Sequence, residues 1–103
     1  MSEDVRKKLA SLREAYVKTL PSKISEIEAF WELLKTDWDK QNLIPFQRMA
    51  HNLHGTSASH GLMKISEAAE QLELYLAGLQ TVESVSERQT IEKLLSNLKA
   101  SLD

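Results

Sequence analysis

The stretch LASLREAYVKTLPSKISEIEAFWELL, residues 9–34, decides the fold class. Leu9, Leu12, Tyr16, Leu20, Ile24, Ile27, Trp31 and Leu34 recur at steps of three and four and make one apolar stripe of helical period. Pro21 lies inside that run, where it removes a backbone donor and crowds the preceding turn. The stripe keeps its phase across Pro21, and Leu20 is a poor N-cap for a new helix, so one kinked helix is expected rather than two.

Working outward, the rest of the chain reads the same way. Residues Thr36 to Gln41 are polar and form a connection. Asn42 is the expected N-cap of a second helix, with Pro45 in its first turn, where a missing amide does no harm. That helix, FQRMAHNLHGTSAS at 46–59, ends near Gly61, a natural residue just past a helix end. A third helix carries Leu62, Ile65, Ala69, Leu72, Leu76 and Leu79, and Gly78 suits its end. Ser84 and Glu87 have capping-box spacing at the start of a fourth, whose stripe is Ile91, Leu94, Leu95, Leu98 and Leu102. Helices of this length on short loops pack as an antiparallel up-and-down four-helix bundle, an all-α fold, within one domain over residues 1–103.

Composition narrows the function. The 103 residues are 42% hydrophobic and 27% charged, ordinary for a globular domain. A net charge of −2, from 13 basic and 15 acidic residues with no basic run, argues against a nucleic-acid partner. No stretch resembles a signal peptide or approaches the roughly 20 apolar residues of a membrane helix, so a soluble, cytoplasmic protein without a membrane partner is expected. The absence of cysteine removes disulfides, thiol catalysis and thiolate metal sites.

The chemistry sits on the second helix. At about 100° per residue with Phe46 at zero, Ala50, Leu53, Ser57 and His60 all fall within about 40°, and Met49 slightly further round. That is the buried face. His51 then points outward at mid-helix, with Gly55 one turn on, Ala58 two turns on, Ile44 two turns back and Arg48 nearby. Glycine in a helix interior costs about 1 kcal/mol against alanine. A small-residue groove with an apolar margin beside an exposed imidazole suits the docking of another protein. An exposed histidine is nucleophilic at neutral pH and can take a phosphoryl group without a neighbouring base. With no Gly-rich phosphate loop ending in Lys-Ser/Thr, the chain is expected to lack ATP binding and kinase activity of its own.

These residues resemble a known family. Ala50-His51-Asn52-Leu53-His54-Gly55-Thr56-Ser57, followed by Gly61, is similar to the H-x-L-K-G-[ST]-[SA]…G signature of histidine-containing phosphotransfer (HPt) domains. Leu72-Glu73 falls where that family has its L-E pair, and Leu12 to Tyr16 through Pro21 to Ile27 looks like its first helix. The likeness covers about residues 5–100. It implies a four-helix bundle, often with a short extra N-terminal helix, and a phosphoryl group carried on Nε2 of His51. It further implies exchange with aspartates of response-regulator receiver domains or a hybrid sensor kinase, in a two-component phosphorelay. The docking surface would comprise Ile44, Gln47, Arg48, His54, Gly55 and Ala58. No cofactor is implied, because the receiver supplies the Mg²⁺. One departure stands out: His54 occupies the position where the family usually has Lys, so a fixed positive charge is replaced by a pH-dependent one, part of which Arg48 can supply.

Blander readings stand beside these. His51 as an ordinary surface histidine leaves Gly55 and Ala58 unexplained. His54 reads equally well as a solvated polar residue, and His60 as a hydrogen-bonded structural one. Gly55 as a helix-crossing point conflicts with its place opposite the apolar stripe. His51 and His54 are spaced i, i+3, but His60 points elsewhere and no carboxylate has matching spacing, so no metal site is expected. Trp31 and Trp38 are expected in core or edge packing. A non-phosphorylated adaptor of the same fold is the alternative function, and a bundle that dimerises through Ile44 a third. A monomer is expected.

Overall fold

The computed structural model describes residues 2–37 and 39–103. They form four helices: α1 (Glu3–Thr36), α2 (Lys40–Ser59), α3 (Met63–Ala77) and α4 (Val85–Ala100). α1 packs on α2, α2 on α3, α3 on α4, and α4 closes the ring on α1. This is the expected up-and-down four-helix bundle. None of its described helices is long and apolar enough to cross a membrane.

Local chemistry sets the helix ends. Ser2 caps α1 by accepting from the Val5 N–H at 3.2 Å, and Glu3 and Asp4 complement the positive end of the helix dipole. α1 runs through Pro21 as one helix, with the ring on the exposed side. The extra N-terminal helix that the family resemblance allows is not formed among the described residues. No glycine or proline interrupts the chain between Glu3 and Leu20, so its residues become the first turns of α1.

The start of α2 also differs from expectation. Asp39, not Asn42, is the N-cap; it is extended, and its Oδ1 accepts from the Gln41 N–H at 2.9 Å. Asn42 is the third helical residue and Pro45 the sixth, one turn deeper than expected. Two good capping residues lie within three positions, and the earlier one takes the role, with its backbone in the β region. Trp38, expected in packing, lies outside the described residues.

At its other end α2 closes with Gly61 at φ +72. The Leu62 N–H donates to the Ser57 carbonyl and the Gly61 N–H to that of Ala58, each at 2.9 Å, which is the Schellman pattern. The capping box on α4 forms as expected, with the Ser84 hydroxyl and the Glu87 carboxylate each accepting from the other's N–H.

The core gathers the stripes of all four helices around Phe46, against which Phe30 and Trp31 stack at 5.7 and 6.0 Å. Trp31 Nε1–H and Lys35 Nζ both donate to Glu92 Oε2 at 3.2 Å, tying α1 to α4. The Trp31 bond first, and the Lys35 bond after it, hold the Glu92 carboxyl below its ordinary range. Val82, in the α3–α4 connection, is fully buried as well.

Leu9 and Leu12 do not join this core. The buried part of α1 begins at Leu20, whereas Leu12 is 55% exposed. The reason is length. The 34 residues of α1 span about 51 Å at 1.5 Å per residue, while α2, with 20 residues, spans about 30 Å. The molecule accordingly extends 52 × 20 × 19 Å. The bundle ends where Tyr16 stacks on His60 (4.6 Å), and residues 2–15, before that contact, are all exposed.

Burial predicts the response to truncation. Ile24→Ala should cost about 2–4 kcal/mol of unfolding free energy, and Leu12→Ala no more than about 0.5 kcal/mol, in urea titrations followed by circular dichroism. A comparable loss for both would place the N-terminal turns in the core.

Candidate functional site

The phase of α2 is set by its buried side. Leu43, Phe46, Ala50, Leu53 and Ser57 are buried, and Met49 packs on the core from its edge. With those positions inside, His51 must lie outside, and its side chain is 65% exposed. Ile44, Gln47, Arg48 and His51 line one open hollow of about 230 Å³, closed on its far side by Glu73 of α3. Gly55 and Ala58 continue the same exposed face one and two turns on. A methyl group on Gly55 would meet nothing within 4 Å, so its small size leaves free space outside the bundle and serves no helix crossing.

His54 does not lie on that open face. Its side chain is only 29% exposed and turns toward α3. There its Nδ1 faces Glu73 Oε2 at 3.1 Å and its Nε2 faces Glu70 Oε2 at 3.0 Å. The solvated alternative for His54 is thereby replaced by a doubly paired one. His60, on the core side, makes a ring-stacking contact with Tyr16 in place of the expected hydrogen bond. The neighbouring buried hydroxyls are partnered: Tyr16 Oη lies 3.4 Å from Ser57 Oγ, and the Ser66 hydroxyl donates to the His54 carbonyl at 3.2 Å.

Glu73 is the residue that spacing along the chain did not bring to the site. Its side chain is 17% exposed, and its Oε1 lies 2.7 Å from His51 Nδ1 while Oε2 meets His54. A carboxylate can only accept, so in neutral His51 the Nδ1 carries the proton and donates to Glu73. The Nε2 lone pair is left free at the mouth of the hollow. Burial alone would push the Glu73 carboxyl up. The hydrogen bonds from His51 and His54, with the attraction of their charge, outweigh it and hold the group below its ordinary value. The premise that no carboxylate accompanies the His51–His54 pair therefore fails in three dimensions, because Glu73 and Glu70 arrive from the adjacent helix.

Two substitutions test this geometry. Gly55→Ala should stabilise the chain by about 0.5–1 kcal/mol, because the methyl enters free space and alanine is the better helix former; destabilisation in urea titrations would mean a hidden contact. Glu73, with its folded pKa depressed, contributes stability that is present above the ordinary value near pH 4 and lost as pH falls through the folded one. Unfolding free energies at pH 6 and pH 3 should therefore differ more for the wild type than for Glu73→Gln, and equal differences would detach the carboxylate from the fold.

No curated protein and no solved structure matches the chain. The family model described as "Hpt domain" matches residues 3–101, nearly its whole length. With a lone outward imidazole on the second of four bundled helices, oriented from the third, this chain belongs to the Hpt domain family.

Proposed function

We infer that the chain is a phosphorelay intermediate in which His51 accepts a phosphoryl group from an aspartyl phosphate of a receiver domain and returns it to a receiver aspartate. Hpt domains serve histidine phosphotransfer in phosphorelays, and the assignment of the step to His51 rests on one observation. His51 alone pairs an exposed Nε2 with an Nδ1–H held by a carboxylate.

The step follows from that arrangement. The Nε2 lone pair attacks phosphorus in line as the bond to the aspartyl oxygen breaks, and the carboxylate leaves with the electron pair. The ring gains positive charge during the attack, and Glu73, accepting from Nδ1–H, stabilises it as the aspartate of a Ser-His-Asp triad stabilises the imidazolium that forms on its histidine. Transfer onward reverses the step. Mg²⁺ belongs to the receiver, which carries the acidic pocket for it. Ile44 offers an exposed apolar contact, Arg48 a positive charge beside the phosphoryl position, and Gly55 and Ala58 leave room for a partner's loop. An adaptor that only binds partners would have no use for a half-buried carboxylate that fixes the tautomer of a surface histidine.

Incubation with a phosphorylated receiver domain should place an acid-labile phosphate on the wild-type chain and none on His51→Gln. Gly55→Gln should keep the helical circular-dichroism spectrum and slow labelling by at least about tenfold, a misplacement effect of the usual size. Label retained in His51→Gln, or no label from any of several receivers, would overturn the assignment.

A further inference from the structure

His54 is turned between two carboxylates, and this raises a question that phosphotransfer alone does not answer. Nε2 faces Glu70 at 3.0 Å and Nδ1 faces Glu73 at 3.1 Å. A neutral imidazole has one N–H and one lone pair. A neutral ring therefore donates to only one of the two carboxylates, and its other nitrogen faces the second as a lone pair. Two acceptors at hydrogen-bond distance need a cation between them. A proton on the ring is one solution, and a metal ion is another.

The surroundings fit the second solution. One nitrogen of His51, one nitrogen of His54 and one carboxylate oxygen of Glu73 all lie within 4.8 Å of one another. The two histidines are a turn apart on α2, and the carboxylate comes from α3, so the helices hold the three donors from two sides. Around a tetrahedral zinc ion, with ligand bonds of about 2.0–2.2 Å, donor atoms sit about 3.3–3.6 Å apart. The two nitrogen–oxygen pairs, at 2.7 and 3.1 Å, lie just inside that spacing, and the His51 side chain, 65% exposed, has room to turn. Glu70 on His54 Nε2–H then plays the outer carboxylate that commonly fixes the tautomer of a metal-bound histidine.

We propose that His51, His54 and Glu73 form a binding site for a transition-metal ion of the zinc class, with Glu70 orienting His54. Two imidazoles and a carboxylate select Zn²⁺, Cu²⁺ or Ni²⁺ over Mg²⁺ and Ca²⁺, which prefer oxygen donors throughout. The fourth position is left to water. The metal takes Nδ1 of each ring. On His51 the proton formerly shared with Glu73 is released to solvent and a proton is taken up at Nε2, so the ring stays neutral. The nitrogen that would attack phosphorus then has no free pair. A bound metal holds the histidine in its unreactive tautomer. The consequence for phosphotransfer rests on the function proposed above, whereas the metal site and the tautomer do not.

The test uses the untagged chain and ZnCl₂ alone. Isothermal titration should show saturable binding of one Zn²⁺ per chain, unaffected by millimolar Mg²⁺. His51→Gln, His54→Gln and Glu73→Gln should each weaken it by at least about tenfold, and Glu70→Gln by about tenfold, the usual cost of losing an outer partner. Circular dichroism confirms that each variant is folded. In ¹⁵N-detected imidazole spectra, Zn²⁺ should convert His51 from the Nδ1–H to the Nε2–H tautomer. No saturable binding, wild-type affinity in the three ligand variants, or a His51 ring that keeps Nδ1–H at saturation would overturn the proposal. A chain that binds zinc but takes no phosphate would instead overturn the relay assignment, so the two fail separately.

Discussion

Everything at the surface of this domain depends on how α2 is phased against the core. Phe46 and Ala50 are completely buried, and Phe46 is stacked on by two aromatic rings of α1. Rotating α2 by one residue would drive these positions into water and lose several kcal/mol of apolar burial, far more than any surface contact returns. Because that rotation is forbidden, the outward position of His51 is a property of the core. The imidazole needs no local strain or dedicated loop to hold it in place.

Glu73 adds the second constraint. A histidine fixed only by its helix can still turn its ring and exchange tautomers. The carboxylate removes both freedoms by accepting from Nδ1, and α3 presents it from a half-buried position where competition from water is reduced. The same carboxylate serves His54, so the two histidines are coupled through one acceptor. The site thus carries more negative charge beside His51 than a Lys at position 54 would leave, and Arg48 is the cation that shares the hollow.

The sequence was most legible where structure is decided within a few residues. The period of Phe46, Ala50, Leu53 and Ser57, the Ser84–Glu87 box and the left-handed Gly61 each carry their own physical cause, and each is found as expected. It was least legible where the outcome depends on a second element. Leu9 and Leu12 share the period of the core residues, but period says nothing of how far the neighbouring helices reach. Asp39 and Asn42 are both competent caps, and Pro45 pulled the expectation toward the later one. Glu70 and Glu73 were missed as partners because linear spacing does not measure the distance between helices. Two signals were available: the L-E pair of the family resemblance falls on Glu73, and Glu70 and Glu73 are spaced i, i+3 on α3, as His51 and His54 are on α2.

The overhang of α1 has an energetic consequence. Its first four turns lack tertiary support, and an isolated helical segment of that length is marginal in water because starting a helix is costly while extending one is cheap. Here the bundle supplies the started helix at Leu20, and the overhang is propagation from it. Helical order along this arm therefore decays with distance from the bundle, and backbone amides near Ser2 exchange with solvent long before those of Ile24.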